Sequence, residues 1–88
     1  MIELSKKEKD LILAAIQIEK ENQDQDDSEE FKEMEDLEAE ITRENVFLSR
    51  PQIDCVIYYL GALFQNSDYE QSDVIALDAK LEELSHLP

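Results

Sequence analysis

The stretch Leu48-Ser49-Arg50-Pro51-Gln52-Ile53-Asp54-Cys55-Val56-Ile57-Tyr58-Tyr59-Leu60 spells a helix together with its beginning. Ser49 and Gln52 have the spacing of a capping box, in which each side chain accepts a backbone N–H that a helix start leaves orphaned. Pro51 stands in the first turn, where no N–H is missed. Leu48 and Ile53 occupy the two positions of a hydrophobic staple. Beyond the cap, Ile53, Val56, Ile57, Leu60 and Phe64 recur at the three-four spacing of one helical face. A helix over 50–65 is predicted.

The same beginning occurs once before. At a shift of 44 residues, Leu4, Ser5, Lys6 and Asp10 fall on Leu48, Ser49, Arg50 and Asp54, and Ile12 and Ile16 fall on Val56 and Leu60. Asn22, Asp24, Asp26 and Ser28 fall on Asn66, Asp68, Glu70 and Ser72, and after a contraction residues 37–41 match 77–81. Ser5 with Glu8 repeats the capping box. Each unit reads as helix, polar turn, helix, the second helices starting from Asp27 with Glu30 and from Ser67 with Glu70. Predicted helices span 6–21, 28–45, 50–65 and 68–85. The expected fold is all-α: two tandem antiparallel helical hairpins, 4–45 and 48–86, forming a small four-helix bundle in a single domain over 1–88.

Faces follow from periodicity. Phe31, Met34, Leu37 and Ile41, and likewise Val74, Leu77, Leu81 and Leu84, make narrow apolar stripes, so the second and fourth helices are expected on the outside. The first helix is broader, with Leu11, Ile12, Ala15, Ile16 and Ile18. The third is apolar nearly all round, because Cys55, Tyr58, Tyr59 and Ala62 lie on or near the side opposite Ile53 and Val56. Such a helix either runs through the bundle centre or offers Cys55, Tyr58, Tyr59 and Ala62 to a second copy. A chain of 88 residues has a thin core, so a homodimer is expected. Gly61, the one glycine, is read as permitting close helix approach.

Charge narrows the function. Asp and Glu number 23 against 8 Lys and Arg, a net of -15. A field of that sign repels nucleic acid and anionic lipid and draws in basic proteins. No direct nucleic-acid contact and no membrane contact are expected. The single Cys55 fits a reducing compartment, and with no signal-peptide pattern at the N-terminus the expected location is cytoplasmic.

Catalytic constellations are not found. His86 has no nucleophile or acid placed to meet it, Cys55 has acidic and apolar neighbours, and there is no phosphate loop or Cys/His metal cluster. No enzyme activity, cofactor or metal is expected. Asn22, Asp24, Asp26, Ser28, Glu30 and Glu33 do occupy ligand positions of a helix-loop-helix calcium loop, but Asp27 stands where the sharp turn requires Gly. A solvated acidic turn is the preferred reading.

Between Glu19 and Glu44 there are 13 acidic and 3 basic residues, a net of -10. Asp24, Asp26, Asp27, Glu29, Glu30, Glu33, Asp36 and Glu40 are expected to form a carboxylate ridge along the first hairpin. Like charges at i, i+4, as with Asp36 and Glu40, cost helix stability, so stability does not account for them. Carboxylates on a helical rod repeat on a scale of a few ångströms, comparable in order to the ~1.7 Å axial charge spacing of duplex DNA. The ridge thus suits a basic cleft built for nucleic acid. In size, in its opening Met-Ile-Glu-Leu-Ser-Lys-Lys-Glu and in its acidic hairpin, the chain resembles the small early proteins of bacteriophages, including acidic nucleic-acid mimics. That resemblance implies a phage- or mobile-element-encoded inhibitor of a basic, nucleic-acid-binding host protein. The alternative is an adaptor that works through Tyr58 and Tyr59, with the acidic face serving solubility.

Overall fold

The computed structural model describes residues 3–22, 28–65 and 69–86. Four α-helices follow one another: α1 (Lys6–Asn22), α2 (Ser28–Ile41), α3 (Arg50–Leu60) and α4 (Gln71–Ser85), with a 3-10 turn at Leu63–Gln65. α2 packs on α1, α1 on α3, and α3 on α4, which gives a small four-helix bundle of two hairpins joined through α1 and α3. No strand occurs among the described residues.

Both capping boxes form. The Glu8 N–H donates to Ser5 Oγ at 3.1 Å and the Ser5 N–H to Glu8 Oε1 at 2.8 Å. The Gln52 N–H donates to Ser49 Oγ at 3.3 Å and the Ser49 N–H to Gln52 Oε1 at 2.9 Å. Leu48 is half-buried against the core that holds Ile53, as the staple requires.

Three helix ends differ from the periodic reading. α2 stops at Ile41 and not at 45. Val46 is buried, yet at five residues beyond Ile41 it would lie about 140° around a continued helix from the buried stripe, so the chain leaves the helix to bring it in. α4 starts at Gln71, because Glu70 is extended (φ -70, ψ 121) and cannot be the third residue of a helix capped by Ser67; Ser67 itself and Asp27, the other expected cap, lie outside the described residues. α3 ends at Leu60, where the Gly61 and Ala62 N–H groups bond three residues back to Tyr58 and Tyr59. This tightening turns Leu63 fully inward in place of Phe64, which is 37% exposed. Gly61 is exposed and a Cβ there would meet only the Tyr58 carbonyl, at 3.1 Å, so it serves the tightened turn and not a helix-helix contact.

The core is Leu11, Ile12, Ala15 and Ile16 of α1; Met34, Leu37 and Ile41 of α2; Ile53, Val56, Tyr59 and Leu60 of α3; and Val74, Leu77 and Leu81 of α4, closed by Val46 and Leu63. No polar or charged side chain among the described residues is buried. Residues paired by the 44-residue shift share burial: Ile12 with Val56, and Ile16 with Leu60, are all fully enclosed. Each such side chain stabilises the fold by about 1.5–3 kcal/mol relative to exposure. No helix among the described residues is long and apolar enough to cross a membrane.

Candidate protein-binding surface

α2 presents its core stripe inward and leaves Glu29, Glu33, Glu35 and Asp36 exposed. Glu29, Glu33 and Asp36 follow the i, i+4, i+7 line of one helix face. None of the four enters a salt bridge among the described residues. Two further carboxylates of α2 are otherwise engaged. Glu38 pairs with Lys20 of α1, whose ammonium also stands 5.0 Å from the centre of the Phe31 ring. Glu40 accepts the Phe47 N–H at 2.9 Å and Arg43 Nη1 at 3.1 Å. These two donors, the backbone N–H first, hold the Glu40 carboxyl below the usual carboxylate range. Glu40 therefore belongs to the α2–α3 link and not to the open ridge. Asp24, Asp26 and Asp27 lie outside the described residues, as does the side chain of Glu30.

The second face of α3 divides. Tyr58 is 72% exposed while Tyr59 is only 7% exposed and sits in the core. Their rings meet edge-on, 5.9 Å between centroids at 70°. Cys55 is exposed and forms no disulfide, and Ala62 is half-buried. The centre-of-bundle expectation for α3 holds on two sides only, toward α1 and α4; the line of Pro51, Cys55 and Tyr58 faces outward.

These two surfaces border one groove of about 480 Å³. Glu33, Asp36 and Leu37 of α2 form one wall. Ser49, Pro51, Gln52, Cys55 and Tyr59, from the α3 cap and α3, line the other. Periodicity assigns each helix its faces but not the distance between helices, so this juxtaposition had no signal in the sequence. A second groove of similar size, beside Glu3, Ser5, Glu44 and Asn45, is mainly polar and is crossed by the ion pair of Glu8 and Lys80.

Of the calcium-loop positions, Glu33 is in the acidic wall just described, and Asp24 and Asp26 lie outside the described residues. No group of three or more His, Cys, Asp or Glu able to hold a metal occurs among the described residues. No protein-family model matches the chain, and no curated protein or solved structure matches it either.

Proposed function

We propose that this chain is a protein-binding inhibitor or decoy whose α2 carboxylates occupy the basic, nucleic-acid-binding surface of a host protein, in a host cytoplasm and without catalysis. The observation that carries the reading is the division of labour on α2. Two nearby cations, Lys20 and Arg43, are held by Glu38 and Glu40. Lys32 is the one cation on α2 itself, and it stands exposed among four exposed carboxylates, Glu29, Glu33, Glu35 and Asp36, in a salt bridge with none of them. A helix of 1.5 Å rise carries these charges on a rigid rod, and a net of -15 steers it toward a basic partner. The test is capture of basic nucleic-acid-binding proteins on immobilised wild type and on the Glu29→Gln/Glu33→Gln/Asp36→Gln variant, with duplex DNA as competitor. Capture by the wild type alone, lost in high salt and displaced by DNA, is expected. Capture that survives salt and the Gln substitutions refutes the decoy reading.

One observation favours a second reading, an adaptor working through α3: the Tyr58 ring is the most exposed large apolar side chain of the described residues. Self-association through the same face would use Cys55, Tyr58 and Ala62 without the enclosed Tyr59 ring.

A further inference from the structure

We infer that the groove between α2 and α3 docks a segment of a protein partner that inserts one apolar side chain and sets Lys or Arg on one side of it. The inference rests on the reading above and narrows it from a charged face to a built site. Four of its lining residues, Leu37, Pro51, Cys55 and Tyr59, give it apolar surface. Its volume, about 480 Å³, falls within the ~300–1,000 Å³ usual for ligand sites.

The electrostatics of the two walls select the occupant. Glu33 and Asp36 on the α2 wall call for cations. The opposite wall begins at the positive end of α3, where Ser49, Pro51 and Gln52 line the groove. A nucleic acid strand meets Glu33 and Asp36 as like charges, and a uniformly cationic chain meets the positive end of α3 as a like charge. A segment with cations on one side of an apolar anchor satisfies both walls. The exposed Tyr58 ring meets the Tyr59 ring of the groove lining edge-on and adds apolar surface next to it.

The experiment titrates isotope-labelled protein with three short synthetic peptides: one with a leucine anchor and lysines on one side of it, one with the anchor changed to serine, and one with the lysines changed to glutamine. Amide shifts are followed together with the rate of Cys55 alkylation by a maleimide. The first peptide is expected to shift the amides of Asp36, Leu37, Gln52 and Cys55, to slow alkylation, and to bind about tenfold more tightly than either of the others. A Cys55→Trp variant, which fills the groove at an exposed position, is expected to lose that binding while a thermal melt shows that it still folds. Equal binding of the serine peptide, with shifts confined to the outer face of α2 and Cys55 still reactive, overturns the groove and leaves the acidic-face reading standing. Equal binding of the glutamine peptide removes the role of Glu33 and Asp36 and overturns both. Absence of binding by all three overturns the groove, and the capture experiment with the Gln variant then decides the function independently.

Discussion

The Glu40 carboxylate is hydrogen-bonded to the Phe47 backbone N–H at 2.9 Å, and through that bond the second helix of one hairpin holds the chain that leads into the other. Lys80 stands at the matching place in α4, and its ammonium bonds the carbonyl of Glu3, which the 44-residue shift pairs with Phe47. A carboxylate holding an N–H on one side and an ammonium holding a C=O on the other do the same work with opposite charges. Each fixes the extended residues immediately before a capping box, and so fixes where α1 and α3 begin.

Replacing Glu40 with Ala removes the acceptor of the Phe47 N–H and the partner of Arg43. A melting temperature lower by a few degrees at neutral pH is expected. The folded-state pKa of Glu40 lies below its ordinary value, so its contribution is present above that ordinary value and fades as pH falls through the depressed one. Thermal melts of wild type and Glu40→Ala should therefore differ at about pH 7 and converge once the pH has fallen below the depressed pKa of Glu40. A difference that persists undiminished in acid would show that the side chain acts by packing and not by charge.

Lys80 also reaches the Glu8 carboxylate, at 3.1 Å, and thereby ties α4 to the capping box of α1. Burial pushes the Glu8 carboxyl up, but the Ser5 N–H and Lys80 outweigh it and hold the pKa below the ordinary range. A double-mutant cycle with Glu8→Gln and Lys80→Met should give a coupling of about 0.2–1 kcal/mol, the range of partly exposed pairs. The coupling should shrink in high salt and vanish as pH falls through the depressed pKa of Glu8. Strict additivity at low salt and neutral pH would mean that Lys80 works through the Glu3 carbonyl alone.

Asp78 shows the opposite balance. Burial and the Glu82 carboxylate one turn on raise its pKa, so its charged form is disfavoured in the folded state. An acid of this kind costs stability above its unfolded pKa, and the cost is relieved as pH falls. Asp78→Asn should raise the melting temperature at neutral pH by roughly 1–4 °C, from a like-charge term of about 0.2–0.5 kcal/mol. Calorimetry at two pH values checks this, with the gain confined to the higher one.

Elements announced by local chemistry were legible in the sequence. The two capping boxes place Ser5 and Ser49 at their helix starts, and the stripes of Met34, Leu37 and Ile41 and of Val74, Leu77 and Leu81 are the buried ones. What was not legible depends on tertiary competition. Val46 gives no local stop signal, yet its burial ends α2, and the exchange of Leu63 for Phe64 follows from a 3-10 tightening that α-helical spacing does not contain. The charge ridge was legible as composition, but which carboxylates stay open was not. Glu38 and Glu40 are withdrawn by Lys20 of a neighbouring helix and by a backbone N–H seven residues on.

Tyr58 and Tyr59 give the sharpest contrast between neighbours. On a helix apolar nearly all round, a step of 100° does not say which of two adjacent rings is covered. The structure assigns Tyr59 to the core and Tyr58 to solvent, at 7% and 72% exposure. Tyr59→Ala deletes an enclosed ring beside Leu37 and Cys55, and should cost about 3–5 kcal/mol, enough to unfold a domain of this size at moderate temperature. Tyr58→Ala should change stability by no more than about 0.5 kcal/mol. Replacing both together therefore says nothing about binding, because the chain no longer folds, whereas Tyr58→Ala alone tests the α3 face. Denaturant melts of the two single variants decide the assignment: equal losses would mean that Tyr58 is covered in solution, by a second copy of the chain, and a concentration-dependent midpoint for the wild type would then accompany them.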